Sequence, residues 1–414
     1  VIEKSKKKRQ VTVVALVTAL CLLGDSMLYI ALPIFYKEVG LQSLWEVGLI
    51  LSINRFVRIP INPLVGLAYR KLPLRAGLFI SVILAIVTTI GYGVGTGLVI
   101  WIILRLVWGV AWSFLRLGGL LAVIEASTDR NRGELMGRYN GLYRLGSLGG
   151  MIGGGVLVAT IGFDWTSILF GICMIAGLPL VYFALPKVVH QDEWVKTNST
   201  PKESLRFSRR TISVVISGMI LAFLIQGMFN SSLSLIMSDH FGEQLTIVGL
   251  VVGVTALAGI LQGVRWVWEP YLAVKIGKWS DGDKGRLPLF LTALGVSVLG
   301  FLLIPFSLPF FIWVFVAIGI MISSTALTTL IDALTSDVTR GEDANQVMTT
   351  YTVFLDLGAA LGPLVSYILF SLGGSVSHVF FGAVFVYLSL FIYWVRVYKK
   401  GEFTPVQHTN TSSL

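Results

Sequence analysis

The chain alternates long apolar runs with short clusters of charge, Gly, Pro or Asn. Reading each break as a loop predicts twelve helical spans. The first six lie at roughly 11–36, 44–68, 76–95, 97–125, 134–161 and 164–186, the second six at roughly 211–238, 244–274, 287–306, 308–336, 344–371 and 375–398. Each holds the ~20 residues a helix needs to cross ~30 Å of hydrocarbon. Backbone polar groups in lipid are satisfied only in helices or closed barrels, and these runs lack the apolar/polar alternation of a barrel. The expected fold is therefore an all-α membrane protein.

Composition agrees with that pattern. Of 414 residues, 55% are hydrophobic and only 13% charged, against about 25% charged in soluble domains. Mean hydropathy is +0.81. The net charge of +10 does not point to nucleic acid, because the basic residues fall in short clusters between apolar runs. With the N-terminus placed in the cytoplasm, the arm, inner loops and tail hold twenty-four Lys and Arg; the outer loops hold only Lys37, and seven lie within spans. That asymmetry is a positive-inside signal, so both termini are expected in the cytoplasm of a bacterial plasma membrane. The first apolar run is too long for a cleaved signal peptide.

The polar, basic stretch 187–210 divides the chain into a six-helix bundle over 1–186 and another over 211–398, followed by a tail over 399–414. The halves are faintly alike: GDSMLYIALPIFYKEVG (24–40) matches QGMFNSSLSLIMSDHFG (226–242), and VGLILSINR (47–55) matches VGLVVGVTA (248–256). Two similar halves imply pseudo-two-fold symmetry with a chamber between them, as in transporters.

Charges inside the spans carry the candidate chemistry. One at a helix centre costs about 2.5 to 3.5 kcal/mol, so it is expected to face a cavity or a partner. Asp25, Arg55, Arg58, Arg105, Arg116, Arg144 and Asp356 lie deepest. Asn54, Arg55 and Arg58 share one helical face, as do Arg105, Trp112 and Arg116, and Asp25 stacks with Tyr29. Five Arg against two Asp favour an anion, since guanidinium binds carboxylate or phosphate in a fork and stays charged. Tyr29, Trp112, Tyr139 and Tyr143 add aromatic surface. Gln226 and Asn230 either line the chamber or bond across helices. The plainer readings are a structural ion pair of Asp25 with Arg55 or Arg105, a structural bridge between Arg265 and Glu269, and solvated or interhelical roles for Asp332 and Asp337.

Other chemistry is not evident. Cys21 and Cys173 sit in apolar runs, and the four His are isolated, so no disulfide framework or metal site is expected. Walker, HExxH and GxSxG spacings are absent, so neither an enzyme nor a cofactor is expected.

Four segments bear a resemblance to a known family. GKWSDGDKGR (277–286) carries Gly277, Asp281, Gly285 and Arg286 with one inserted residue. GLAYRKLPLR (66–75) carries Gly66, Lys71 and Arg75, with Arg70 and Pro73 in place of an Asp and a Gly. RLVWGVAWS begins at Arg105, and GSLGGMIGGG (146–155) spaces Gly146, Gly149, Gly150, Gly153 and Gly154, with Gly150 in a usual Pro position. In these the chain resembles the major facilitator superfamily over nearly its whole length. The resemblance implies two six-helix bundles that rock about a central site, gating roles for the loop signatures, proton coupling through Arg105 and an antiporter-like, helix-packing glycine motif. The resulting expectation is a monomeric secondary active transporter that exports an anionic or amphipathic organic solute in exchange for protons. Asp25 is the first proton carrier and Asp356 the second; Tyr29, Asn54, Arg55, Arg58, Trp112, Arg116, Tyr143, Arg144, Gln226 and Asn230 are the substrate residues. The alternatives are proton-coupled uptake of an anionic nutrient and a non-transporting membrane sensor. A channel would need a repeated filter or ring.

Overall fold

The computed structural model describes residues 2–127, 132–185, 207–247, 250–281, 285–339, 344–373 and 375–401. Most of the expected linker and nearly all of the tail lie outside them. Among the described residues fourteen α-helices occur in chain order: α1 Ile2–Phe35, α2 Leu44–Tyr69, α3 Leu74–Val94, α4 Leu98–Ala126, α5 Arg132–Ile161, α6 Phe163–Ile175 and α7 Gly177–Ala184, then α8 Arg209–Leu221, α9 Asn230–Phe241, α10 Val254–Ser280, α11 Leu287–Leu303, α12 Phe310–Val338, α13 Ala344–Ser371 and α14 Val376–Lys399. Between α8 and α9 the helix runs on as a π-helix, Ala222–Phe229.

Most expected spans coincide with one helix, and three differences have local causes. The sixth span is broken at Ala176, between α6 and α7. Pro179 lacks an N–H, and its ring opposes the carbonyl four residues earlier, on Ile175, where α6 stops. The seventh passes through the π-helix. The eighth does not begin at 244 as a helix: β1 Gln244–Ile247 and β2 Leu250–Gly253 pair antiparallel, with Gln244 opposite Gly253 and Ile247 opposite Leu250. The β-branched residues Thr246, Ile247, Val251 and Val252 favour strand, and the ladder pairs backbone groups locally.

Among the described residues nine helices are long and apolar enough to cross a membrane. α11 is apolar but has 17 residues. α2, with Glu46, Arg55 and Arg58, and α10, with Arg265, Glu269, Lys275 and Lys278, also fall outside the nine.

The chain packs as two compact units. The first comprises 1–206, 222–267 and 356–373. Its core joins Val14, Ala15 and Cys21 of α1 to Leu78 and Val82 of α3, Trp108 and Leu115 of α4 and Met174 of α6. Tyr92 stacks on Trp101 with ring centroids 5.1 Å apart. A single residue, Gly162, connects α5 to α6, and its φ of +87° is one that side chains resist. The second unit comprises 207–221, 268–355 and 374–414. There Trp394 donates its indole N–H to Ser217 Oγ at 3.0 Å and meets Phe290 edge-on. Phe301 packs against Phe380 and Tyr387. Large apolar side chains such as Phe183, Tyr271, Phe315 and Phe385 point outward in both units, which water would penalise and lipid accommodates.

Candidate functional site

The deepest charges of the first unit are paired across helices. Arg105 of α4 is fully buried, and its Nη1 lies 2.5 Å from Asp25 Oδ1 of α1. The same guanidinium donates through Nε to the Ile50 carbonyl of α2 at 3.0 Å and through Nη1 to the Tyr92 hydroxyl of α3 at 3.3 Å. Four helices therefore meet at this one cation. Its Nη2 is buried with no hydrogen-bond partner among the described residues.

The second cluster joins residues 298 apart in sequence. Arg58 Nη2 of α2 donates to Asp356 Oδ1 of α13 at 3.2 Å, and Arg55 Nη1 stands 4.0 Å from the same oxygen. Asp356 keeps 30% of its side-chain surface accessible, against 14% for Asp25, so it is the more open carboxylate. Tyr29, buried on α1, neighbours Arg55. Asn54 is buried, its Oδ1 without a hydrogen-bond partner among the described residues, where Gly109 lets α4 approach the α2 backbone.

Arg116 is surrounded by neutral groups. Its Nη1 donates to Asn140 Oδ1 at 3.3 Å, and its guanidinium lies 5.6 Å from the Tyr143 ring centroid and 6.0 Å from that of Tyr139. Trp112 meets Tyr143 edge-on at 6.2 Å. No carboxylate pairs with Arg116 among the described residues. Arg144 faces Trp266 of α10 at 5.4 Å. Asn230 is bonded across helices: its carbonyl accepts from Gln262 and its Oδ1 from Arg265 at 3.2 Å. Gln226 sits half-buried on the π-helix.

Several of these partners were absent from the sequence-derived site. Asn140 shares a helical face with Tyr143 and Arg144 at spacings of three and four, a signal that marks it in retrospect. Tyr92, Gln262 and Trp266 carry no such signal, since their roles come from neighbouring helices.

The glycine stripe of α5 faces two ways. Side chains at Gly146 and Gly150 would overlap the carbonyls of Ala19 and Leu23 on α1, and one at Gly154 would overlap Met27. Gly149 and Gly153 have more room, their nearest neighbours being Leu23 at 3.2 Å and Phe170 at 3.7 Å. Gly155 packs on Thr255 and Gly259 of α10, still within the first unit.

The two loop signatures differ in the same way as their sequences. In the second unit Arg286 binds Asp337 through two bonds, of 2.7 and 3.2 Å, and approaches Asp281 at 3.4 Å. Gly285 adopts a φ of +68°, and Gly277 has open space around it. In the first unit, Arg75 lies 4.0 Å from the Tyr182 ring centroid, Gly66 lies loosely against Leu117, and Lys71 is exposed.

The sequence matches the Major Facilitator Superfamily over residues 14–320 and 271–413. The chain belongs to that family. It is a multi-pass membrane transporter by that membership. An uncharacterized MFS-type transporter of Enterobacter sp. (strain 638) is 24% identical over 284 residues, covering 67% of this chain and 68% of that protein. The MFS-type transporter YcaD of Shigella flexneri serotype 5b (strain 8401) is 25% identical over 269 residues, so the alignment spans 63% of either protein. Among solved structures, a POT family transporter in complex with 5-aminolevulinic acid superposes with a TM-score of 0.75 at 13% identity, over 94% of this chain and 96% of that one. The nucleoside transporter NupG superposes with a TM-score of 0.70 at 13% identity, over 95% of this chain and all of that one. At such identity the likeness concerns the fold.

Proposed function

We propose that this transporter is a proton-coupled exporter of a small anionic or amphipathic organic solute. In this reading it works by alternating access, as a monomer with twelve spans, with bundles over 1–186 and 211–398 and both termini in the cytoplasm of a bacterial plasma membrane. The observation that carries the proposal is the distribution of charge: Arg105 takes Asp25, Arg55 and Arg58 share Asp356, and among the described residues Arg116 has only Asn140 and aromatic rings. A half-buried cation with no carboxylate partner among the described residues favours a carboxylate or phosphate ligand, and Trp112 and Tyr143 suit a solute with an apolar body.

Protonation of Asp25 would cancel the charge that holds Arg105 and free a guanidinium shared by four helices. An anionic substrate and the carboxylates of Asp25 and Asp356 then compete for the same set of cations. Asp356, more open and facing two Arg, is the second carboxylate through which the same exchange can run. The antiporter-like glycine motif supports export.

The test is transport in sealed proteoliposomes under an imposed pH gradient. Asp25→Asn is expected to abolish gradient-driven movement and to leave substrate exchange in the absence of a gradient measurable. A pH dependence identical to that of the unaltered chain rejects Asp25 as the carrier. Substrate efflux driven by inward protons, rather than accumulation with them, is the expected direction.

A further inference from the structure

The N-terminal loop signature concentrates cations that meet no acidic partner among the described residues. Arg70, Lys71 and Arg75 fall within six residues, and no Asp or Glu occurs between Glu46 and Glu125. Among the described residues none of the three forms an ion pair. Arg75, at the start of α3, instead rests over the Tyr182 ring of α7, 4.0 Å from its centroid. Asp164, the only acid in the α6 and α7 sequence, stands at the far end of that span.

Beside this cation lies a groove of about 540 Å³ lined by Pro73, Arg75, Ala76, Phe79, Ile80 and Tyr182. Both walls belong to the outer surface of the first unit. α3 exposes Ile80, Ile83 and Val87 at spacings of three and four, and α7 exposes Leu180, Tyr182 and Phe183. In a membrane protein, such apolar stripes face acyl chains. The groove thus has an apolar floor, and its charged rim stands at the first turn of a span, where a helix leaves the hydrocarbon.

The geometry points to a binding site for an anionic glycerophospholipid. Its phosphate is received by Arg75, with Arg70 and Lys71 adding to the local positive field, and an acyl chain lies along Phe79 and Ile80. Basic pockets between spans bind anionic headgroups for this reason. Tyr182 holds the guanidinium in place before the lipid arrives, which lowers the ordering cost of binding. A zwitterionic lipid brings its own cation to three uncompensated ones and is disfavoured. The site is independent of the transport reading.

The purified chain in detergent is mixed with equal amounts of phosphatidylglycerol and phosphatidylcholine, and retained lipid is counted by native mass spectrometry. Phosphatidylglycerol adducts are expected to exceed phosphatidylcholine adducts roughly fivefold, the ratio one interfacial charge contributes. Arg75→Gln is expected to remove the excess, and Tyr182→Leu, which keeps the charge and the apolar wall, to reduce it. Equal retention of the two lipids by the unaltered chain, or an excess that survives Arg75→Gln, overturns the site. If Arg75→Gln does not yield monodisperse protein, Tyr182→Leu and the double variant Arg70→Gln/Lys71→Gln decide. An excess unchanged in both overturns it equally.

Discussion

Arg105 ties α1, α2 and α3 to α4 through one carboxylate, one carbonyl and one hydroxyl. Truncating one partner of such a pair leaves the other charge desolvated, which costs about 3 to 5 kcal/mol, whereas removing both is often far milder. Arg105→Leu is therefore expected to lower thermal stability in detergent strongly, and Asp25→Asn in the same chain to restore part of the loss. If the double variant is as unstable as the single one, the ion pair is not what Arg105 contributes. At this scale the sequence marked the charges inside the spans and offered Arg55 or Arg105 as the partner of Asp25, and the structure pairs Asp25 with Arg105. An Arg or Asp inside an apolar run declares itself by its desolvation cost. Nothing in spacing joins Arg58 to Asp356 across 298 positions, or leaves Arg116 among neutral groups, because tertiary packing makes those choices.

Among the helices, the closest approaches are made where glycine removes the side chain. Gly146, Gly150 and Gly154 recur every four residues on the face of α5 that meets α1, the small-residue spacing that lets helix backbones touch. Gly150→Val should place atoms where the Leu23 carbonyl already is and cost about 1 to 3 kcal/mol or more. Gly153→Ala, with only Phe170 at 3.7 Å, should be neutral or stabilising by about 0.5 to 1 kcal/mol through helix propensity. Thermal unfolding of the two variants checks the contrast, and equal effects would contradict the assigned face. The element boundaries of α2 to α5 were legible because charge and glycine punctuate them, whereas α1 starts at Ile2, ahead of the expected 11, because the basic arm continues the helix. The hairpin at 244–253 was not, since a short apolar, β-branched run reads alike as buried helix or strand. The π-helix was hidden too, because a surplus residue per turn leaves no compositional mark.

Across the whole molecule, chain order and packing divide the protein differently. Residues 222–267 and 356–373 follow the linker in sequence yet pack with the first unit, where Gly227 meets Gly362 and Gly48 meets Pro363 backbone to backbone. If rocking of the bundles over 1–186 and 211–398 drives transport, a contact such as that of Gly48 with Pro363 has to open once per cycle, whereas that of Gly227 with Gly362 lies within one bundle. A Cβ on Gly253 would lie 3.2 Å from Cβ of Ala159, close to disulfide reach. In a Cys173→Ser background, Ala159→Cys with Gly253→Cys is expected to cross-link on mild oxidation and stop turnover, and reductant should restore it. Undiminished turnover in the cross-linked protein would show that this seam stays shut. Which half a segment packs against depends on long-range contacts that no local pattern encodes.

The eight π-wound residues from Ala222 to Phe229 bear on how such a seam yields. A coil with spare length can pass its slack along, one residue at a time, without ever snapping a whole turn of bonds. If the two bundles rock, such slack would let the seventh span turn Gln226 by a fraction of a turn while its backbone stays hydrogen-bonded within the helix.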